Sequence, residues 1–205
     1  AAVTAVSGLT ALQGLTDVGR LQPGERVLVL GASGGVGSFA VQIAHALGAE
    51  VTGMAAGPKL DLVRALGADR ALDYAEHPVD AERERYDLIL DAGGNNRLSA
   101  LRRALDPAGR LVIVGGEGGG TWIGGVDRQL RALLLSRLTR QRLTSFVSKE
   151  DQGLDRLAAM IDDGDVTPAL DRTFPLDEAP EAVRRLTSGE ARGKVAITMA
   201  SQHDG

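Results

Sequence analysis

Cysteine is absent from this chain of 205 residues, which excludes disulfides, thiolate chemistry and any cysteine-ligated structural zinc. Histidine is nearly as scarce. His45, His77 and His203 fall on an expected helix, in a loop and in the tail, without the close spacings that zinc sites use. Positive charge is not in excess: Lys+Arg 23 against Asp+Glu 27 leave a net charge of -4. That balance argues against nucleic acid or an anionic membrane surface as the main partner. No apolar run approaches the ~20 residues of a membrane span and no signal peptide opens the chain, so the cytoplasm is the expected compartment. Nor is there an initiating methionine; Ala1 begins what reads as the middle of a protein. Against these absences stand 43% hydrophobic and 24% charged residues, the make-up of a soluble chain with core enough for one domain or a little more.

The chain is organised around VLVLGASGGVGSFAVQIAHAL, residues 27–47. Val27 to Leu30 is the continuous apolar run expected of a central parallel strand buried on both faces. Val36, Ala40, Ile43, Ala44 and Leu47 then recur at three- and four-residue spacing, which places them on one helix face with Gln42 and His45 elsewhere. Between strand and helix, Ala32, Gly34 and Gly37 match the dinucleotide fingerprint G-x-G-x-x-G with alanine in first place. Gly34 lets the backbone approach a diphosphate, and Gly37 lets the helix lie close on the strand. The first-turn N–H groups and the positive end of the helix dipole then meet the phosphate oxygens. A glycine-rich connector that binds nothing is the rival reading; the buried run before it and the amphipathic helix after it weigh against that.

The rest of the chain supplies the other elements of such a fold. Residues 1–15 read as a buried helix broken or tightened around Gly8. A second strand over residues 50–54 exits through Gly53, Met54, Ala55 and Ala56, where NAD-binding proteins place an acidic residue for the adenosine ribose. With no carboxylate there, NADP is preferred, and Lys59 is either the partner of its 2′-phosphate or a solvated first-turn lysine. Tyr74, closing a third strand at 70–74, either stacks on the adenosine or packs as an edge tyrosine. The fourth strand, 86–91, ends in Asp91, Ala92 and Gly93, which are expected to touch cofactor because strands one and four flank the switch point of a 3-2-1-4-5-6 sheet. A helix over 98–105, stopped by Pro107 and Gly109, leads to a fifth strand at 110–114. Beyond it, Gly115 suits contact with a flat ring and Gly118 to Gly120 suit a mobile loop. Residues 127–142 pattern as an amphipathic helix, with Leu130, Leu133, Leu134 and Leu138 on one side and arginines elsewhere. A sixth strand, 143–147, lies at the sheet's edge and invites pairing with a second copy, hence an expected homodimer. Helix 154–163, an extended stretch 169–174, helix 178–188 and strand 194–199 complete an α/β chain. Its fold class is a Rossmann-type doubly wound parallel sheet with helices on both faces.

Four stretches in order, AAVTAVSGLTALQGL, GASGGVGSFAVQIA, DLVRALGADRALDY and DRTFPLDEAPEAVRRLTSGEARGKVAITM, resemble the medium-chain dehydrogenase/reductase superfamily in its zinc-free, quinone-oxidoreductase-like branch. The resemblance covers essentially the whole chain. It implies an NADP(H)-binding domain over residues 1–148. Residues 149–205 then return toward a GroES-like substrate domain, absent here, to which the strand ending at Met199 belongs. Zinc-dependent relatives carry a cysteine ligand two residues before the Gly-Leu/Val-Thr step of the opening helix; Val6 stands there in this sequence, which implies no zinc. The branch transfers hydride directly from NADPH to a quinone, enone or related small-molecule acceptor, without a protein nucleophile. Carried over by position, the diphosphate contacts fall on Ser33, Gly34, Gly35, Val36 and Gly37, the 2′-phosphate end on Lys59 and Tyr74, and the nicotinamide end on Val114, Gly115 and Gly116. Pro58 beside Lys59 departs from the pattern. A free-standing nucleotide-sensing or interaction module is the alternative from another class, and a methyltransferase is disfavoured by Gly37 and the closing motif.

Overall fold

Val27, Leu28, Val29 and Leu30 are all buried, but they divide between two cores. In the computed structural model, which describes residues 4–81, 85–94, 96–114, 140–149 and 152–199, they lie on β1 (Arg26–Leu30). Val27 and Val29 face one way, toward α1 (Ala5–Gln13), α2 (Gly37–Ala46) and α3 (Leu60–Ala65). Leu28 and Leu30 face the other, toward Leu101 and Ala104 of α4 (Leu98–Ala104). The two-residue pleat of a strand covered on both sides leaves no position for a polar residue, so the run is uninterrupted.

The sheet adds β2 (Glu50–Ala55), β3 (Arg70–Asp73), β4 (Tyr86–Asp91), β5 (Leu105–Val114) and β6 (Arg142–Phe146). Its order is β3-β2-β1-β4-β5-β6, with every pairing parallel. Leu30 is in register with Met54 on one side and Asp91 on the other. The chain therefore reverses its direction of travel across the sheet between β1 and β4, and opens a crevice at their carboxyl ends.

Three details differ from the pattern in the sequence. Helix α1 runs through Gly8 unbroken, and the irregular turn falls later, as a π-helical Gly14–Val18. Gly8 is there for proximity: a Cβ on it would lie 2.6 Å from the Leu157 side chain of α5 (Leu154–Asp162). Strand β5 begins at Leu105, ahead of the expected start at Arg110; its ladder to β4 skips from Leu105 to Arg110 across Pro107, which has no N–H to give. Helix α2 has no wet side over its first eight residues, and Gln42 is buried with the rest. Most of the helix expected over 127–142 lies outside the described residues.

Residues 152–199 pack onto this sheet domain. The buried Gln13 donates from Nε2 to the carbonyls of Lys149 and Gln152, both at 2.7 Å, and accepts the Lys149 N–H at 2.9 Å. Beyond α5, β7 (Leu170–Pro175) and β8 (Lys194–Thr198) form a separate two-stranded parallel sheet joined by α6 (Ala179–Thr187). Among the described residues no helix is long and apolar enough to cross a membrane.

Candidate dinucleotide site at the switch point

The crevice is shaped by backbone meeting backbone. Gly31, directly after β1, has φ +74°, and a Cβ there would come within 3.1 Å of the Gly93 nitrogen. The exits of β1 and β4 thus touch through glycines, and the Ala92 N–H donates to the Leu30 carbonyl at 3.2 Å. The turn is closed by the Gly34 N–H donating to the Gly31 carbonyl at 2.9 Å and tied to β2 by the Ala32 N–H donating to the Met54 carbonyl at 2.9 Å. A Cβ on Gly37 would overlap the Gly31 carbonyl oxygen and lie 2.7 Å from its carbon. Only a residue without a side chain lets α2 start so near the strand end.

What this proximity leaves available is a set of amides. Among the described residues the Gly35 and Val36 N–H groups donate to no backbone carbonyl, as befits the start of a helix. Gly34 has only the Gly31 oxygen near its absent Cβ, at 3.2 Å, so its α-carbon faces open space. Those amides and the helix dipole fit an anion, and the bare turn is the cradle that a dinucleotide diphosphate requires.

The turn forms one wall of a cleft of about 730 Å³ that also takes in Ala92, Gly93, Val114 and Phe146. The sequence-derived site residues Gly35, Val36, Ala92, Gly93 and Val114 therefore share one cavity. Ala32 is buried behind the turn, and the Ser33 carbonyl accepts from the Gly193 N–H at 2.9 Å. Asp91 is fully buried, its carboxylate accepting from the Gly94 N–H at 2.9 Å, so it holds the β4 exit from beneath. Gly115 and Gly116 lie outside the described residues.

The adenosine side is more crowded than the sequence suggests. The Lys59 ammonium donates to the carbonyls of Gly189 at 2.7 Å and Ala191 at 2.5 Å. Burial lowers its pKa, with Asp171 opposing and Arg192 and Arg185 adding to the shift. Arg192 donates to both Asp61 oxygens at 2.6 Å and to the Pro58 carbonyl at 3.2 Å, and its hydrogen bond holds the Asp61 carboxyl below the usual range. Tyr74 is 62% exposed just past β3. One expectation is corrected: the β2 exit does have a carboxylate, supplied by the neighbouring strand. Asp73 lies so close to Gly57 that a Cβ there would overlap its Oδ2, while Oδ1 accepts from the Ala75 N–H at 2.9 Å.

Sequence reasoning passed over Lys194, which lines the cleft and donates to the Ser7 hydroxyl at 2.7 Å. The two glycines that precede it in SGEARGK are its only trace in the sequence; both Gly189 and Gly193 have positive φ. Gly31 was equally silent, standing just ahead of the fingerprint.

The chain has no thiolate to offer, Val6 lines the cleft with an aliphatic side chain, and among the described residues no three His, Cys, Asp or Glu side chains gather closely enough to hold a metal.

A model of the zinc-binding dehydrogenase family matches residues 66–197. Among curated proteins, the mitochondrial NAD(P)H oxidoreductase RTN4IP1 of Mus musculus is 34% identical over 97% of this chain and 53% of its own length. A chloroplast envelope quinone oxidoreductase homolog of Arabidopsis thaliana is 28% identical over 96% of this chain and 61% of its own. Among solved structures, the quinone oxidoreductase from Coxiella burnetii superposes with a TM-score of 0.81 at 26% identity, covering 96% of this chain and 59% of that one. The chain spans between half and two thirds of the length of these relatives.

Proposed function

Because the chain belongs to the medium-chain dehydrogenase/reductase superfamily, in its quinone-oxidoreductase-like branch, we propose that it is the NADP(H)-binding part of a zinc-independent reductase whose hydride acceptor is a quinone, enone or related carbonyl compound. The observation that carries this reading is the convergence of Gly35, Val36, Gly93 and Val114 on one cleft at the switch point. A bound nicotinamide supplies the hydride; the chain's own residues bind and orient.

In this reading the Gly35 and Val36 amides hold the diphosphate, and Gly31 and Gly93 keep side chains out of the path between the two halves of the dinucleotide. Val114 and Phe146 flank the nicotinamide end with apolar surface. On the same cleft wall the Thr10 hydroxyl donates to the Val6 carbonyl at 2.7 Å and accepts from the Ser148 hydroxyl at 2.9 Å, a polar pair whose oxygens can accept from a carboxamide N–H. Val6 and Val147 on that wall are 63% and 89% exposed. Water is therefore incompletely excluded, and the chain by itself is expected to bind cofactor far better than it reduces acceptors.

Calorimetric titration with NADPH and NADH tests the reading. NADPH binding in preference to NADH is the expected result if the Lys59 ammonium outweighs the Asp73 carboxylate at the β2 exit; equal affinity for the two overturns the NADP preference, and absence of binding by both overturns the whole reading. We further infer a homodimer through the β6 edge, on the strength of the exposed Val147 that follows it; a monomeric mass by light scattering at tens of micromolar refutes that contact.

A further inference from the structure

Helices α1 and α5 lie side by side and antiparallel. A Cβ on Gly153, just ahead of α5, would lie 3.5 Å from the Leu12 side chain and 3.9 Å from that of Leu9; one turn on, Leu157 stands over Gly8. Further along, Ile161 and Asp162 share a groove with Thr4 and Ala5 at the start of α1. The groove encloses about 450 Å³. Its floor is Leu157, buried in the main core, but Leu154 is 51% exposed, Ala158 is exposed and Ile161 is half-buried. Leu154, Ala158 and Ile161 recur at four and three residues and so form one apolar line along α5, open to solvent at its head.

The bank of this groove carries charge of one sign. Asp155 and Asp162, seven residues apart, fall on the same side of α5, about 10 Å from each other, and Asp163 and Asp165 follow in the turn beyond. All four are exposed, and none belongs to an ion pair among the described residues. Arg156, the one cation of α5, lies about 200° around the helix from Leu154 and so on the far side from the groove. Apolar floor and acidic bank together fit a helix whose apolar stripe is flanked by lysine or arginine. We propose that the α1–α5 groove is a docking surface for a basic amphipathic helix of a partner protein. A second copy laid groove to groove would set these carboxylates against their own equivalents. No residue lines both this groove and the nucleotide cleft, so the inference stands apart from the oxidoreductase reading.

The test titrates the full chain into a fluorescein-labelled synthetic peptide of leucine and lysine, about 14 residues long with leucine at helical spacing, and follows its anisotropy. Saturable binding at micromolar concentration is expected, weakening as salt is added. Leu154→Ser and the double variant Asp155→Asn, Asp162→Asn should each lower the affinity about tenfold. Arg156→Gln, on the far side of α5, should leave it unchanged, as should saturating NADPH. Every altered side chain is exposed, so the fold is not at stake. Absence of saturable binding overturns the proposal, as do equal binding of a peptide with glutamate in place of lysine and an affinity that neither groove variant moves. Displacement by NADPH puts the peptide in the nucleotide cleft and overturns it too. A dimer in light scattering that Leu154→Ser dissociates gives the groove to a second copy. Loss of peptide binding in a chain extended ahead of Ala1 to the length of its relatives gives it to the preceding segment; either result also overturns the proposal.

Discussion

Gln42 and Thr167 pair as two residues of adjacent strands do: the Gln42 amide donates to the Thr167 carbonyl at 3.0 Å and accepts the Thr167 N–H at 2.8 Å. Its Nε2 also donates to the Ser38 carbonyl at 2.8 Å. One buried side chain thus satisfies both polar groups of a loop residue and fixes the C-terminal segment to α2. Replacing it by leucine removes both bonds to Thr167, a residue that water can reach, and the bond to the Ser38 carbonyl. Gln42→Leu is expected to lose ~1–2 kcal/mol of stability, read as a lower urea midpoint. A change within about 0.5 kcal/mol would show that water or a shifted loop replaces the amide.

Gly37→Ala tests the close start of α2. The new methyl meets the Gly31 carbonyl and the Ala32 α-carbon, 2.8 Å away, and neither is a flexible side-chain end. Destabilisation of ~3 kcal/mol or more is expected, with NADPH binding lost in whatever folds. Gly24→Ala is the control for strain without crowding. Gly24 has φ +79° and nothing within 4 Å of a Cβ, so its cost should stay near ~1 kcal/mol.

Lys59 separates the two nicotinamides. The methionine variant keeps the aliphatic stem and removes the charge that the 2′-phosphate reading requires. NADPH affinity is expected to fall about tenfold with NADH affinity unchanged. Equal losses for both would instead assign Lys59 wholly to its carbonyl partners, Gly189 and Ala191.

Asp171 gives the C-terminal unit its acid sensitivity. Arg185 donates to its two carboxylate oxygens at 2.5 and 3.2 Å and, through that hydrogen bond, holds its pKa below the usual value. A lowered folded-state pKa contributes stability that is fully present above the unfolded value of about 3.9 and is lost as the pH falls through the folded one. Asp171→Asn should cost ~1 kcal/mol at neutral pH and flatten the acid limb of a stability profile between about pH 5 and pH 2. A profile superposing on the parent's below pH 4 would remove this pair from the account.

The parts of the fold legible in the sequence are those fixed by neighbours a few positions apart. Val27 to Leu30, the Ala32–Gly34–Gly37 spacing and the stripe through Ala40, Ile43 and Ala44 each follow from strand and helix geometry alone, and the strand order follows from the fingerprint they compose. The features that escaped depend on partners distant in the chain. Gln42 reads as a residue off the apolar helix face until Thr167 is beside it. Gly8 reads as a helix breaker until Leu157 fills the space above it. Asp73 cannot be seen from β2 read along its own length, because the parallel neighbour delivers the carboxylate sideways. Lys194 carries no local signature of where its ammonium goes.

The contact between Lys194 and Ser7 spans 187 positions of sequence. During synthesis, α1, the glycine turn and the first four strands emerge and pair while the residue that leans on the turn is still untranslated. A nascent chain of this kind would acquire its nucleotide pocket in two instalments, and any lesion that removes the final strand would leave a sheet that folds and a pocket left unfinished.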